Sequence, residues 1–237
     1  AGHGELVQTQ TGEWYLAHLA SRPFTPERRC IHGRETCLQR VEWSTDGWLR
    51  LVGGGHHPRE AWPAPAGLLA APFSSRSERD EFGGETLGPE WHSLRVPIDP
   101  AWASTTERPG WLRLRGRDSL HSLHEQSLVA RRLRGARMRG ETRLEFRPTH
   151  FTQSAGLVCW YDTRHHYYLR VTHEDGIGSI LGIVFTDQGR YDELERGRLV
   201  VEGWPVVHLC ADIDGAHVRF GASCDGTRWT EVGPALD

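Results

Sequence analysis

The sequence predicts an all-β protein, and three features of its 237 residues support this fold class. Short runs in which apolar and polar residues alternate recur along the chain, as expected of strands with one buried face. Asp-Gly pairs separate several of these runs and favour tight turns between strands. No segment keeps its apolar residues at helical spacing for long enough to predict a helix.

The first sixty or so residues are predicted to form about four short strands of one sheet. Residues 13–19 are rich in aromatic side chains, which is typical of a half-buried strand. Residues 37–43 alternate, and Asp46-Gly47 then favours a turn before the next run at 48–51. The alternation gives two faces, one with Gln39, Val41 and Trp43 and the other with Leu38, Arg40 and Glu42.

Residues 58–72, "PREAWPAPAGLLAAP", differ in composition from what precedes them. They contain four prolines and show no alternation. Proline fixes φ and cannot donate to a strand ladder, so this stretch is predicted to be an extended connector between domains.

A second all-β region follows the connector. Residues 111–115 alternate, and residues 141–147 are expected to point Thr142, Leu144 and Phe146 inward. Residues 126–133 are predicted to form a strand after a loop. Near the end of the chain, Asp-Gly turns separate runs whose inward residues are Val207, Leu209, Ala211 and Ile213, then Val218, Phe220 and Ala222. Many short strands at this spacing are typical of a β-sandwich or barrel.

Composition and charge exclude several classes of function. The net charge of −3 creates no field that would gather nucleic acid or anionic lipid, so neither is expected as a partner. No run of about eighteen apolar residues predicts a membrane span. All 28 basic residues are arginine, and they are spread along the chain. The oligomeric state is not determined by the sequence, and a homo-oligomer is left open.

The cysteines and histidines predict neither a disulfide framework nor a zinc site. Five cysteines at irregular spacing, without a CxxC pair, favour free thiols in a reducing, cytoplasmic compartment. Adjacent histidines such as His165 and His166 point to opposite faces of a strand and cannot chelate one ion there.

Several motifs resemble glycoside hydrolase family 43, and are closest to its β-xylosidase branch. In the first region these are "GHGELVQTQTGEWYLAHLASRP", "HGRETCLQRVEW" and "DGWLRL". In the second they are "FGGETLGPEWHSLRVP", "RPGWLRLRGRDSLHSLHEQSLVARRL" and "SAGLVCWYDTRHHYYLRV". The resemblance implies the end of a five-bladed β-propeller at 1–62, a proline-rich linker at 63–72 and a concanavalin-A-like β-sandwich at 73–237. The final strands of the sandwich are expected to be missing.

The resemblance also implies an activity. A parent enzyme is expected to remove terminal β-D-xylose from xylo-oligosaccharides with inversion, and its catalytic carboxylates lie in blades outside this chain. The chain lacks an initiator methionine and begins within a motif, so it is expected to be part of a longer protein. Two alternatives are kept: an α-L-arabinofuranosidase of the same family, and a non-catalytic carbohydrate-binding or structural sandwich module.

Two residues of this chain match functional positions of the family. His3 in "GHG" corresponds to an axial histidine near the pocket floor, which belongs to a cation or water network. Arg34 in "GRET" corresponds to a substrate-binding arginine, and Glu35 is expected to hold its guanidinium in place. The structural alternative is that Arg34 forms only a solvent-exposed salt bridge with Glu35 and has no role in binding. The resemblance implies a calcium or magnesium ion at the propeller axis of some intact members, and no cofactor is expected for this chain alone.

The absence of an assigned acid and base within the chain generates a first prediction. The purified 237-residue chain should hydrolyse neither nitrophenyl β-xyloside nor nitrophenyl α-L-arabinofuranoside, because general acid–base catalysis of this reaction needs two carboxylates. Release of nitrophenol is the measurement, with a commercial xylosidase as positive control. Turnover that co-purifies with the chain through two chromatographic steps would contradict it.

Overall fold

The computed structural model describes residues 2–72 and 77–237. Within these ranges the chain contains fourteen strands and no helix, so the all-β prediction is confirmed. The backbone divides into two compact units, Ala1–Glu78 and Arg79–Asp237. The predicted domain limits at residues 62 and 72 stay predictions, since residues 73–76 lie outside the described ranges.

The first unit is one antiparallel sheet whose four strands lie side by side in chain order. This up-and-down order is typical of a propeller blade. The two predicted strands at 13–19 and 37–43 are confirmed to within about two residues. The strands are β1 (Gly2–Gln8), β2 (Trp14–Ala20), β3 (Glu35–Trp43) and β4 (Leu49–Leu51).

The turn between β3 and β4 forms as its sequence predicts. Gly47 has φ of 80°, a left-handed conformation that glycine adopts without a steric penalty. The Ser44 hydroxyl donates to the carbonyl of Trp48 at 2.6 Å, and the Trp48 N–H donates to the Asp46 carboxylate at 3.2 Å. Local hydrogen bonds therefore close the hairpin.

The proline-rich connector has no regular secondary structure, but it is fastened to the first sheet by a buried amide. Gln39 is 2% exposed. Its Nε2 donates to the carbonyl of Arg59 at 3.1 Å, while its Oε1 accepts from the Arg59 N–H and the Trp62 Nε1–H, each at 2.9 Å. The N–H of Ala66 also donates to Glu13, at 2.8 Å. The face of β3 that carries Gln39 thus binds the connector.

The second unit is a β-sandwich of two antiparallel four-stranded sheets, with a separate two-stranded ladder. One sheet has the order β11-β10-β9-β8 and the other has the order β14-β13-β12-β7. The short ladder is β5 (Ala103–Ser104) with β6 (Arg113–Leu114). The remaining strands are β7 (Arg137–Leu144), β8 (Ala155–Asp162), β9 (His165–Glu174), β10 (Gly178–Asp187), β11 (Arg190–Val200), β12 (Val207–Asp214), β13 (His217–Ser223) and β14 (Thr230–Leu236).

Both sheets contribute to one apolar core. Leu169, Leu181 and Leu209 are completely buried, and Phe220 is 1% exposed. These residues come from β9, β10, β12 and β13, so the core joins the two sheets. Of the inward residues predicted for the runs at 207–213 and 218–222, all are buried except Ile213, which is partly buried, while Cys210 and Gly221 of the opposite face are buried as well.

Three predictions about strands need correction. The run at 111–115 forms only the two-residue β6, and β7 begins at Arg137, four residues before its predicted start, with Thr142 exposed. Residues 126–133 form no strand; two isolated bridges, Asp118 with Gln126 and His92 with Ala130, replace it. Side chains take the place of a ladder there, because Arg117 Nη2 donates to the carbonyl of Gln126 at 2.8 Å.

All five cysteines are free, as predicted. Among the described residues no helix is long and apolar enough to cross a membrane.

The amide of Gln39 generates a prediction for the first unit. Gln39→Ala would leave the Arg59 N–H, its carbonyl and the Trp62 indole without this partner, which should cost about 1–3 kcal/mol of unfolding free energy. Urea unfolding followed by tryptophan fluorescence measures the change. Gln8→Ala, which removes one exposed 3.4 Å bond, is the control and should shift stability by less than about 0.5 kcal/mol. Equal effects of the two substitutions would refute the role of Gln39.

The pairing of β8 with β9 generates a prediction for the sandwich. A Cβ at Gly156 would lie 1.9 Å from the carbonyl oxygen of Leu169, a backbone atom that cannot rotate away. Gly156→Ala should therefore destabilise the protein by about 1–3 kcal/mol. Gly140→Ala in β7 is the matched control, because a Cβ there meets nothing within 4 Å. Thermal melts of both variants decide, and a Gly156→Ala protein as stable as the parent would contradict the close approach.

Candidate functional site

The candidate site lies in the loop between β2 and β3, residues 21–34. Two backbone hydrogen bonds form a turn within this loop. The N–H of Phe24 donates to the carbonyl of Arg29 at 3.1 Å, and the N–H of Arg28 donates to the carbonyl of Thr25 at 2.9 Å. Arg28 and Gly33 have positive φ, 62° and 67°. The chain thus reverses sharply before it enters β3 at Glu35.

An ion pair closes the base of the loop. Arg22 Nε donates to Glu35 Oε2 and Arg22 Nη2 to Glu35 Oε1, both at 2.7 Å. Two parallel bonds of this kind are the strongest geometry for a guanidinium and a carboxylate. They hold the pKa of the Glu35 carboxyl below its usual value and raise the pKa of Arg22. Glu35 is therefore ionised at neutral pH with both oxygens occupied.

Arg34 is exposed and has no hydrogen-bond or ion-pair partner within the described ranges 2–72 and 77–237. The expectation that Glu35 holds the Arg34 guanidinium was wrong, and so was the alternative of a surface Arg34–Glu35 pair. The physical reason is the register of the hairpin. Ala20 pairs with Glu35, so Arg22 lies two residues beyond the paired row and reaches the carboxylate with both donors.

His3 lies on β1 at a bulge. The register shifts between Gly2 and Glu5, so His3 and Gly4 together oppose His18 of β2. His3 has φ of 51°, which is uncommon for a residue with a side chain. Bulges re-aim side chains and are frequent beside active sites. His3 is exposed and so is accessible to a ligand.

The strand register places His3 and Arg34 at the same end of the sheet. Gly2 pairs with Leu19, and Leu19 pairs with Thr36, so one row crosses all three strands. Arg34 lies two residues before Thr36 and His3 one residue after Gly2, so both residues lie near this end of the sheet. The two residues singled out from the sequence thus lie at the same end of the sheet.

Two residues near this end of the sheet were missed by sequence reasoning. Arg22 gave no signal, because its partner is thirteen positions away and depends on the register of the hairpin. His18 is 7% exposed, and its Nδ1 lies 3.3 Å from the carbonyl oxygen of Leu19. The visible signal for His18 was a histidine within the otherwise apolar "WYLAHLA".

Within residues 2–72 and 77–237, the side chains do not by themselves fit a calcium or magnesium ion. These cations prefer six or more oxygen ligands, whereas His3 offers one imidazole nitrogen. Among the described residues no group of three or more His, Cys, Asp or Glu side chains converges to hold a metal.

The tryptophans of the sandwich bear on the alternative of a carbohydrate-binding module. Such modules stack sugars on open aromatic rings, but these rings have partners within the unit. Trp111 carries two guanidinium groups, those of Arg108 and Arg143, at 4.3 and 4.5 Å from its centroid. The others lie against Arg131 (Trp91), Arg117 (Trp102), Arg139 (Trp229), His166 (Trp160) and the apolar core (Trp204).

Two family models match the chain. Residues 79–237 match the β-xylosidase C-terminal concanavalin-A-like domain, and residues 1–49 match glycosyl hydrolases family 43. The chain belongs to glycoside hydrolase family 43. The sandwich predicted from the motifs is thereby confirmed, and the first sheet belongs to the family's propeller.

Relatives within family 43 extend over the whole chain. A xylan 1,3-β-xylosidase of a Vibrio species is 37% identical, over 100% of this chain and 45% of the relative. The crystal structure of a xylan β-1,4-xylosidase from Bacillus halodurans C-125 is 45% identical, with a TM-score of 0.94 over 100% of this chain and 45% of that one. A non-reducing-end α-L-arabinofuranosidase of Bacteroides ovatus is 34% identical, over 74% of this chain and 32% of the relative. The chain thus spans about half the length of the family 43 relatives that cover it fully.

Proposed function

We propose that the protein carrying this chain is a family 43 glycosidase that removes terminal β-D-xylose from xylo-oligosaccharides with inversion. The observation that carries the proposal is the free guanidinium of Arg34, which lies at the same end of the sheet as His3. Similarity to two β-xylosidases over the full chain supports the choice of xylose.

Arg34 would bind the sugar in this mechanism. A guanidinium presents a planar fork of donors to neighbouring hydroxyls and stays charged at any working pH. Its positive charge would also favour the ionised form of a carboxylate placed close to it. Because Glu35 is already neutralised by Arg22, the charge of Arg34 is not compensated by its neighbour.

The acid and the base would come from outside the 237 residues. In an inverting glycosidase one carboxylate activates water while a carboxylic acid, about 6.5–9.5 Å away, protonates the leaving oxygen. His3 would line the floor of the same pocket and orient a ligand or water there. Any calcium or magnesium ion would need oxygen ligands from elsewhere, so no step is assigned to it.

An α-L-arabinofuranosidase is the second candidate, since the Bacteroides ovatus relative has that activity in its name. Terminal β-xylose and α-L-arabinofuranose differ in ring size, and Arg34 could donate to hydroxyls of either. Relative kcat/KM on the two nitrophenyl glycosides separates the candidates. We also propose a cytoplasmic location, which five free thiols support.

Arg34 gives the sharpest test of the proposed role. In the full-length enzyme, Arg34→Ala should lower kcat/KM about ten- to a hundredfold, because a charged hydrogen bond to a sugar hydroxyl is worth about 1.5–3 kcal/mol. Arg34→Lys should recover part of the loss, since an ammonium lacks the planar fork. The melting temperature should hardly change in either variant, because Arg34 is exposed and makes no hydrogen bond or ion pair with another described residue.

The matched control for Arg34 is Arg50→Ala, an exposed arginine in β4 that pairs with Asp46 near the other end of the same sheet. It should leave kcat/KM unchanged. An Arg34→Ala enzyme that keeps more than about half of the parental kcat/KM would rule out the substrate-binding role, since one neutral hydrogen bond is already worth severalfold.

A further inference from the structure

Arg34 and Glu35 are adjacent in sequence but differ in their hydrogen-bond partners. Glu35 receives two hydrogen bonds from Arg22, whereas Arg34 has no partner within residues 2–72 and 77–237. The side chain of Arg22 is 67% exposed and that of Glu35 is 31% exposed. A surface pair of this kind contributes little to folding stability.

Electrostatics link the pair to Arg34. Arg22 and Glu35 together carry no net charge, so Arg34 presents a full positive charge at the mouth of the loop. Without Arg22, the carboxylate of Glu35 would be ionised, partly exposed and one residue from Arg34. The two hydrogen bonds from Arg22 hold the Glu35 carboxylate against the β2 side of the loop. A released Glu35 could turn to Arg34 and compete with a sugar hydroxyl for its donors.

We propose that Arg22 is a positioning residue for Arg34: by holding both oxygens of Glu35, it keeps the Arg34 guanidinium free and uncompensated for a sugar hydroxyl. The inference rests on the proposed substrate-binding role of Arg34 and extends it to a residue outside the "GRET" motif. Other titratable groups near the pair are Glu60 and Cys30 beside Arg22, and His32 beside Glu35. None of these groups offers the two-donor fork of a guanidinium.

The first experiment uses the 237-residue chain and does not depend on catalysis. Phenylglyoxal modifies free guanidinium groups, and a modified Arg34 resists tryptic cleavage, so mass spectrometry gives its rate of reaction. Arg22→Gln should slow the reaction of Arg34 about two- to fivefold, as expected of capture by an exposed carboxylate. Arg22→Gln combined with Glu35→Gln should restore the parental rate, because no carboxylate remains to capture Arg34.

Controls separate this device from a general disturbance of the loop. Arg137→Gln removes an exposed pair with Asp214 in the second unit, joined by one hydrogen bond at 2.8 Å, and should leave the Arg34 rate unchanged. Arg22→Lys keeps the positive charge but cannot form two parallel hydrogen bonds to Glu35. In this variant the modification rate of Arg34 should fall between the rates in the parent and in Arg22→Gln. An unchanged Arg34 rate in Arg22→Gln overturns the proposal. A double variant as slow as the single one also overturns it, since distortion of the loop would then be the cause.

The second experiment measures the same variants in the full-length enzyme. Arg22→Gln should raise KM about two- to fivefold with a smaller change in kcat, and the double variant should return KM towards the parental value. If Arg34→Ala leaves kcat/KM intact, the substrate-binding role fails, yet the modification rates still decide whether Arg22 keeps Arg34 free. If Arg34→Ala impairs the enzyme while Arg22→Gln does not, only the positioning role is overturned.

Discussion

The register of the β2–β3 hairpin is the constraint on which the candidate site depends. Pairing of Ala20 with Glu35 sets which side chains meet across the base of the loop, and pairing of Leu19 with Gly2 carries the same row to His3. A slip of one residue would turn Glu35 to the opposite face, away from Arg22. It would also turn Gln39 away from the connector, so a single register holds both the loop and the connector in place.

The fold could be predicted from sequence where one face of a strand is covered and the other is exposed. The run at 37–43 satisfies this condition, since Gln39 and Val41 are buried while Leu38 is 51% exposed. β9 and β10 do not, because the face away from the core is also covered: His166, Thr172 and Thr186 are 6%, 5% and 2% exposed. Strands buried on both faces lose their alternation, so only the family resemblance indicated this sheet.

The site was predictable to a smaller extent, for a related reason. Arg34 and His3 were found because they lie in motifs of a known family. The partner of Glu35 could not be, since contiguous letters in "GRET" favour an Arg34–Glu35 pair, whereas the folded chain brings Arg22 to the carboxylate. The positive φ of His3 has no marker in the sequence, because neighbouring glycines are equally compatible with ordinary extended backbone. Contacts between residues that only the strand pairing brings together, such as Arg22 with Glu35, therefore become visible only in the structure.

The exposure of β1 has a consequence for handling the chain by itself. β1 lies at the edge of its sheet, and all seven of its residues are exposed, including Leu6 and Val7. An edge of this kind presents unpaired N–H and C=O groups, which template pairing with another chain. Glu5 is the single charge on the strand, and no lysine or proline blunts it. Self-association through β1 is therefore the hazard that solution work on the 237-residue chain has to control, with dilution and dispersity measurements as its first safeguards.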